Sequence, residues 1–414
     1  MELIKFITAG NVDDGKSTLI GRLLYDSKAI SNDVLESIQQ TDGEINFAYF
    51  TDGLKAEREQ GITIDVAYKY FSTEKRKFII ADCPGHKEYT RNMITGASHA
   101  DIAIIMIDAT NGITEQTRRH SFIVDIMNIP CIIFCVNKMD VVNYDESVFQ
   151  RIIRQIADFK FINKHQIEYV PVSALKGDNV VFRSENMSWY DGSTLLYILE
   201  NYQYPDKMAN LPAYMQVQYV SFQNDERYFF GTLLNGNFET GQEILVMPTQ
   251  QRNKIKEIFV LGKNKSQAEH GESVALTFME DTEIQRGYTL MALTSSMDEL
   301  PEQNVQLTQT FSAICFWLDE VPFIPSKRYL IQQHSFRTYV KCQSIAEIFD
   351  LNELKFKEYH SENINSNSIF KAQFQTAQPM LVSNYTQSTI LGTFILIDET
   401  SYKTVGAGVL LAGH

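Results

Sequence analysis

A strand, a glycine-rich turn and a helix open this chain, and together they leave few folds available to it. The turn matches the phosphate-loop pattern G-x-x-x-x-G-K-[ST] through Gly10, Asn11, Val12, Asp13, Asp14, Gly15, Lys16 and Ser17. An apolar run at residues 3–8 precedes it and a helical pattern at residues 18–25 follows it. Glycines let backbone N–H groups surround phosphates, and the start of the helix adds positive potential. The sequence therefore predicts a nucleotide-binding α/β domain.

The side chains at the end of this loop have separate predicted roles. Lys16 is expected to reach the β- and γ-phosphates, and the Ser17 hydroxyl is expected to bind Mg²⁺. Thr18, the next residue, completes the set that we expect beside the phosphates.

A second motif follows a predicted strand at residues 77–81. It consists of Asp82, Cys83, Pro84, Gly85 and His86. A carboxylate at the tip of a core strand is a common place to hold Mg²⁺, directly or through water. Gly85 has no side chain that would keep its backbone N–H from the γ-phosphate. We therefore expect Asp82 to bind the metal and the whole segment to border the nucleotide.

A third motif selects the base. Asn137, Lys138, Met139 and Asp140 follow the apolar run at residues 131–136. A carboxylate at Asp140 accepts two hydrogen bonds from guanine, whereas adenine would leave it desolvated and unpaired. Asn137 is expected to bridge the base region and the phosphate loop, and the Lys138 stem to cover the base plane. A later segment, Ser173, Ala174 and Leu175, is expected to offer backbone N–H groups to the guanine oxygen. We predict GTP as the nucleotide.

A fourth segment carries a candidate switch. Thr63 lies two residues after a glycine in the sequence Gly-Ile-Thr at residues 61–63. A threonine in such a loop binds Mg²⁺ while the γ-phosphate is present, and the loop is released on hydrolysis. The predicted metal ligands are therefore Ser17, Thr63 and Asp82.

The chain of 414 residues changes in pattern near residue 206. Before it, apolar strands at residues 3–8, 77–81, 103–108, 131–136 and 168–172 alternate with helical patterns such as 114–127 and 146–161. That alternation predicts a mostly parallel sheet with helices on both faces. After it, short strands and turn signals predict two β-barrel domains. We predict a P-loop GTPase domain at 1–206, a barrel at 207–298 and a second barrel at 299–414.

Composition narrows the possible partners and the compartment. The chain has 37 basic and 51 acidic side chains, a formal net charge of −14. Non-specific nucleic-acid binders rely on a positive field, so nucleic acid is an unlikely partner. Five cysteines without a C-x-x-C pair fit free thiols in a reducing cytoplasm, and Cys131 and Cys135 are expected in the core. No apolar run approaches the ~20 residues that span a bilayer, so we expect no membrane association.

Together these motifs resemble the translational GTPase superfamily, in its elongation-factor type with a GTPase domain and two barrels. Within it, the chain is similar to the family of large, GTP-hydrolysing subunits of bacterial sulfate adenylyltransferase. The segments that carry the finer match are 10–18, 54–65, 76–82, 89–93, 177–181 and 189–196. Segments 227–231, 376–379 and 392–398 extend the likeness into the two predicted barrels.

The resemblance implies a function and two catalytic residues. His86 matches the family's residue that orients the attacking water, and Lys16 would stabilise charge on the phosphates. The implied cofactors are GTP and Mg²⁺, and the implied partner is a smaller sulfate adenylyltransferase subunit on which ATP and sulfate react. In this family, GTP hydrolysis drives formation of adenylyl sulfate and diphosphate, the first step of sulfate assimilation.

Three features of the sequence qualify this interpretation. Cys83 stands where Thr or Ala is expected, and a thiol there would make the segment sensitive to oxidation. Residues 336–371 match the family only loosely. No second phosphate loop follows Ser17, which argues against a fused adenylyl-sulfate kinase module.

Two other functions share the same nucleotide motifs. A translation factor that carries aminoacyl-tRNA would use every one of these residues, with Arg252, Lys254 and Lys256 as a candidate basic strand face. A GTP-sensing scaffold without turnover is disfavoured because Lys16 and His86 are both present. The sequence alone leaves the carrier function open.

Overall fold

The computed structural model describes most of the chain. The described residues are 3–29, 47, 67–83, 93, 96–97, 100–159, 161, 163–203, 211–223, 225–293, 305–350, 353 and 355–411. Thr63, Pro84, Gly85 and His86 lie outside them, and so do the predicted domain boundaries at 206/207 and 298/299. The chain forms two compact units with the main boundary between residues 205 and 206.

The first unit is built on one sheet of six strands. These are β1 (Leu3–Ala9), β2 (Ala67–Ser72), β3 (Lys77–Asp82), β4 (Ile102–Asp108), β5 (Cys131–Asn137) and β6 (Gln166–Pro171). Their spatial order is β2-β3-β1-β4-β5-β6, parallel throughout except for β2, which is antiparallel to β3. All seven side chains of β4 and of β5 are buried, as expected for central strands covered on both faces.

The described helices of this unit begin where the sequence supplies a cap or a glycine. They are α1 (Lys16–Asp26), α2 (Glu115–Ile126), α3 (Glu146–Ala157) and α4 (Leu195–Asn201). The Thr114 side chain accepts from the N–H of Thr117 in a capping box at α2, and Asp145 caps α3. Helix α3 ends four residues before the predicted position at 161.

The core of this unit joins α1 and α4 to one face of the sheet. Leu19, Leu23, Leu195 and Leu199 pack with the alternate side chains of β1, β3, β4 and β5. Cys131 and Cys135 lie in this core with no exposed area, and all five cysteines are free thiols, as predicted.

The second unit contains two closed barrels. The first uses β7 (Tyr214–Gln223), β8 (Glu226–Asn235), β10 (Glu243–Met247), β11 (Gln251–Val260), β14 (Ser273–Phe278) and β15 (Thr289–Ala292). The short strands β9 (Phe238–Glu239), β12 (Lys263–Lys265) and β13 (Gln267–Ala268) flank it. Pairing of β10 with β11 closes the ring.

The second barrel follows the same plan. Its strands are β16 (Gln306–Trp317), β17 (Arg328–Gln333), β18 (Phe336–Asp350), β20 (Ile369–Val382), β21 (Thr393–Asp398) and β22 (Thr404–Leu410), with β19 (Lys355–Glu358) beside β18. Pairing of β17 with β18 closes it. The predicted fold class, a P-loop GTPase domain followed by two β-barrels, is therefore confirmed.

The basic strand face considered above lies on β11 and is balanced by carboxylates. Lys256 Nζ is 2.7 Å from Glu226 Oε1, and Arg252 is 4.0 Å from Glu243. Both pairs are at the surface, where such contacts have small net energies. Arg252 and Lys256 therefore belong to a surface of mixed charge.

Candidate nucleotide-binding site

The predicted motifs converge at one edge of the parallel sheet. Strand register places Thr8 beside Asp82 and Asp108 beside Asn137, at the carboxyl ends of β1, β3, β4 and β5. The phosphate loop leaves β1 at this edge, and the segment at residues 173–177 follows β6 there. Open α/β sheets bind their ligands outside the carboxyl ends of the strands. The fold thus gathers motifs that are up to 160 residues apart in sequence.

Gly15 ends the phosphate loop in a conformation that only glycine adopts easily. Its φ is +91°, and it is the N-cap of α1 with no side chain capping the helix. A Cβ atom at Gly15 would lie 2.4 Å from Asn137 Nδ2. The first N–H groups of α1 therefore remain available to an anion, and the loop packs directly on the base-selecting motif.

Lys16 lies folded over the loop in this structure. Its Nζ donates to the carbonyl oxygens of Asn11 at 2.8 Å and Gly10 at 3.2 Å. Burial lowers the pKa of Lys16, while the carboxylates of Asp82 and Asp14 oppose that shift. A phosphate bound within the loop would offer this ammonium a charged partner in place of two neutral carbonyls.

Asp82 is buried at the tip of β3 and held in one orientation. The Thr8 hydroxyl donates to Asp82 Oδ1 at 2.7 Å, and Asp82 as a whole is only 1% exposed. A buried carboxylate and the Ser17 hydroxyl form an all-oxygen donor set, which suits Mg²⁺ when phosphate oxygens supply further ligands. The described part of the site is therefore compatible with the predicted metal.

Cys83, whose position suggested sensitivity to oxidation, lies in a buried environment. Its side chain is fully buried and its Sγ contacts the Ala81 carbonyl at 3.7 Å. Burial raises the pKa of Cys83, and the charge of Asp82 raises it further. Because the thiolate is the reactive form, burial and the raised pKa both disfavour oxidation of this thiol.

Asn137 makes the predicted bridge between the two halves of the site. Its Nδ2 donates to the Asp14 carbonyl at 2.8 Å, and its Oδ1 accepts from the Ala174 N–H at 2.9 Å. Ser173 Oγ donates to Asp140 Oδ1 at 2.6 Å. One amide thus fixes the phosphate loop to the segment at residues 173–177.

The backbone N–H groups of that segment are not equally available. Ser173 donates its N–H to the Asp178 carbonyl, and Ala174 donates to Asn137 as described. Leu175 is the one of the three whose N–H has no partner among the residues that the structure describes. Arg22 of α1 also contacts this segment, because its guanidinium group donates a hydrogen bond to the Leu175 carbonyl at 3.3 Å.

Sequence motifs did not identify Asp108, which is also part of this edge. Its side chain is 4% exposed and lies 2.7 Å from Lys138 Nζ. The available signal was positional, since Asp108 ends an apolar strand in the same way as Asp82 and Asn137. Arg22 was missed as well, because it lies inside a helix and no motif includes it.

Asp14 lies buried beneath the loop with an unusual protonation equilibrium. Its Oδ2 accepts from the Asn11 N–H at 2.5 Å. Burial raises the pKa of Asp14 to about 6, and the nearby Asp108 contributes, whereas Asn11, Lys16 and Lys138 act in the opposite direction. Asp14 therefore takes up its proton within the range of ordinary assay conditions.

A pH-dependent stability follows from Asp14. Because the pKa rises from 3.8 to about 6 on folding, the stabilising contribution of this carboxyl is complete below pH 3.8 and is lost as the pH rises through 6. Asp14→Asn, which cannot ionise, should be more stable than wild type at pH 7.5 by up to about 3 kcal/mol, with little difference near pH 3, below both pKa values. Thermal unfolding of the nucleotide-free chain measures this, with the exposed neighbour Asp13→Asn as control. An equal gain at both pH values would contradict it.

Comparison with known proteins places this site in a class. Residues 1–217 match the family model "Elongation factor Tu GTP binding domain", and residues 310–411 match "GTP-eEF1A C-terminal domain-like". The chain is thus a GTP-binding protein of the elongation-factor type.

Full-length relatives define the particular family. The chain is 41% identical to sulfate adenylyltransferase subunit 1 of Psychromonas ingrahamii, over 99% of this chain and 87% of that protein. It is 40% identical to the bifunctional enzyme NodQ of Rhizobium sp. strain N33, over 99% of this chain and 63% of NodQ. The chain belongs to the family of sulfate adenylyltransferase subunit 1.

Two solved structures are also similar to this chain. They include sup35 complexed with GDP, at 22% identity with a TM-score of 0.45, covering 100% of this chain and 94% of that one. Another is a bacterial selenocysteine-specific elongation factor, at 21% identity with a TM-score of 0.45, covering 100% of this chain and 59% of that one. Among the helices that the structure describes, none has the length and apolar character needed to cross a membrane.

Proposed function

We propose that this chain is the GTP-hydrolysing subunit of sulfate adenylyltransferase. It binds GTP and Mg²⁺ at the sheet edge described above, and its turnover drives formation of adenylyl sulfate and diphosphate from ATP and sulfate. The sulfate-activating reaction takes place on a smaller partner subunit, in the reducing cytoplasm. The observation that carries this proposal is the convergence of Lys16, Asp82, Asn137 and Asp140 at one edge, in a chain of this family.

Binding of the nucleotide uses three parts of the site. The phosphates lie in the loop at residues 10–15, where backbone N–H groups and the start of α1 meet them and Lys16 leaves its carbonyl partners. The base would lie beside Asp140, which Ser173 orients, and beside the N–H of Leu175. Because the Asn137 amide ties the loop to the base segment, phosphate and base recognition depend on the same side chain.

Hydrolysis of GTP requires little covalent chemistry from the protein. Ser17, Thr63 and Asp82 would hold Mg²⁺, which would neutralise charge at the phosphate oxygens. The Lys16 ammonium group would stabilise the negative charge that accumulates on the phosphates as the γ-phosphoryl group leaves. His86 orients the attacking water, a contribution that depends on positioning and therefore on the conformation of its segment.

Coupling follows from two states of the switch segments. Thr63 would bind Mg²⁺, and the Gly85 N–H would reach the γ-phosphate, only in the GTP state, so that the surface presented to the partner would differ between GTP and GDP. A ligand that distinguishes two conformations shifts their equilibrium by its differential binding free energy, and the effect is reciprocal. GTP hydrolysis can thereby favour formation of the reactive phosphate–sulfate anhydride on the partner.

Removal of the His86 side chain tests the assigned chemistry. His86→Ala should lower partner-stimulated GTP turnover by about 100-fold or more, since general catalysis by one positioned side chain contributes on that order. The Kd for GTP should change by less than about threefold, because His86 does not hold the ground-state nucleotide. Single-turnover hydrolysis with tritium- or phosphorus-labelled GTP measures the first effect, and calorimetry measures the second. Unchanged stimulated turnover would remove His86 from the mechanism.

The function itself is tested with the two-subunit complex. GTP turnover by the purified chain should be slow alone and should rise on addition of the smaller subunit, ATP and sulfate together. The yield of adenylyl sulfate should rise with it. Turnover that ignores the partner and its substrates would contradict the proposal, and tight GTP-dependent binding of aminoacyl-tRNA would support the carrier function instead.

A further inference from the structure

Asp108 and Lys138 form an ion pair that none of the nucleotide motifs accounts for. Lys138 Nζ is 2.7 Å from Asp108 Oδ2, and the two residues are 30 positions apart in sequence. Lys138 belongs to the base-selecting motif, whereas Asp108 belongs to β4. The pair therefore connects the base region to a strand that contributes no predicted nucleotide contact.

The pairing of β4 with β5 places these two side chains next to each other. Asp108 is the last residue of β4 and lies in register with Asn137, the last residue of β5. The Ala109 N–H donates to the Asn137 carbonyl at 2.9 Å, which locks the two strand ends. Lys138 follows with a φ of +62°, a left-handed conformation that turns its side chain towards β4.

Asp108 is a well-satisfied acceptor before Lys138 is counted. Its Oδ1 accepts from the Thr110 N–H at 2.8 Å and the Thr110 hydroxyl at 2.6 Å. Its Oδ2 accepts from Asn111 Nδ2 at 3.2 Å as well as from Lys138. Burial alone would raise the pKa of Asp108, but the hydrogen bonds from Lys138 and Thr110 outweigh it and leave the pKa below the ordinary value. The carboxylate is thus a fixed, charged anchor.

Lys138 is tethered at its tip and open along its stem. Its side chain is 34% exposed although its ammonium group is bonded to a carboxylate that is 4% exposed. Methylene stems of lysine cover apolar surface while the charged end is held elsewhere. Without an anchor, such a side chain loses rotamer entropy when a ligand orders it.

We propose that Asp108 is a positioning residue for the guanine nucleotide. It holds the Lys138 side chain where its methylene stem can pack against the plane of the base. This inference rests on the proposed guanine site and adds a residue to it. Asp108 does not touch the nucleotide. It acts through Lys138, so that the cost of ordering the lysine is met in the nucleotide-free chain.

The two oxygens of Asp108 allow a selective variant. Asp108→Asn keeps an oxygen for both bonds from Thr110. It replaces Oδ2, which accepts from both Lys138 and Asn111 Nδ2, with an amide NH₂ that accepts from neither. Lys138→Met keeps an unbranched stem, removes the charge and leaves the bond from Asn111 in place. The pair of variants thus separates the anchor from the turn.

The experiment is a double-mutant cycle on the full chain, with the Kd for GDP as its readout. Asp108→Asn and Lys138→Met should each weaken GDP binding by about 10-fold, as expected when one long side chain must be ordered on binding instead of beforehand. The double variant should be no weaker than either single variant, because both remove the same interaction. GTP should show the same losses, and partner-stimulated turnover should show them in KM, with kcat changed less than about twofold.

Different results would overturn the proposal. Losses that multiply in the double variant would mean that Asp108 acts on the nucleotide site independently of Lys138. GDP affinity within twofold of wild type in Asp108→Asn would mean that no positioning is needed. A wild-type chain that binds neither GDP nor GTP would contradict the proposed function itself, and this inference with it.

Discussion

Asp140→Asn is expected to change the base that the site accepts. The Asn Oδ1 still accepts from Ser173 Oγ, so the segment keeps its geometry, but the amide NH₂ now faces the exocyclic amine of guanine, donor against donor. Affinity for GTP should fall by roughly 100- to 1,000-fold, since the discrimination comes from buried polar groups left unpaired. Xanthosine triphosphate carries a carbonyl at that position and should become the preferred ligand. Competition titration with the two nucleotides measures the exchange.

Asp178, which directly follows the segment at residues 173–177, provides the matched control for this exchange. Asp178 accepts from Ser184 Oγ at 2.6 Å and Tyr144 OH at 3.2 Å, and it has no predicted contact with the base. Asp178→Asn should leave the preference for GTP intact even if it loosens the segment. An equal loss of preference in both variants would mean that Asp140 acts only by supporting the fold.

Gly15→Ala is expected to disable the site through a single methyl group. The Cβ atom would lie 2.4 Å from Asn137 Nδ2, closer than non-bonded atoms approach, and the backbone φ of +91° is already unfavourable for alanine. The Asn137 amide must move, which breaks its bond to the Asp14 carbonyl and separates the loop from the base segment. GTP affinity should fall by about 100-fold or more, as expected when several contacts depend on one side chain. Calorimetry with GTP measures the loss.

Gly241 provides a control that has the backbone strain of Gly15 without its steric clash. Gly241 has a similar φ of +83°, yet a Cβ atom there would meet nothing within 4 Å. Gly241→Ala should therefore cost about 1 kcal/mol of stability from the backbone alone and leave GTP binding unchanged. If Gly15→Ala bound GTP as well as Gly241→Ala does, the packing of the loop on Asn137 would have no functional role.

The nucleotide motifs could be recognised in the sequence because the chemistry that they are predicted to perform restricts residue type over a few neighbouring positions. Lys16, Asp82 and Asp140 each stand in a short pattern next to a buried strand, and parallel strands end at one edge. Asp108 could not be assigned in this way. Its role depends on the register of β4 with β5 and on the left-handed turn at Lys138, which are properties of the paired strands and not of either segment alone.

The fold was predictable to a similar extent and for a similar reason. Buried parallel strands such as β4 and β5 read as continuous apolar runs, whereas β2 was missed because it is an edge strand with Tyr68 and Tyr70 exposed. Helix α3 was predicted too long because Phe159 and Phe161 continue its apolar pattern. They instead pack against each other beyond the end of the helix.

The most direct test of this account is calorimetric titration of the purified chain with GTP and with ATP, in the presence of Mg²⁺. The account predicts one GTP bound per chain and an ATP affinity lower by about 1,000-fold or more, because adenine leaves the Asp140 carboxylate without donors. Comparable binding of the two nucleotides, or no heat with GTP, would contradict the central claim that this sheet edge is a guanine-nucleotide site.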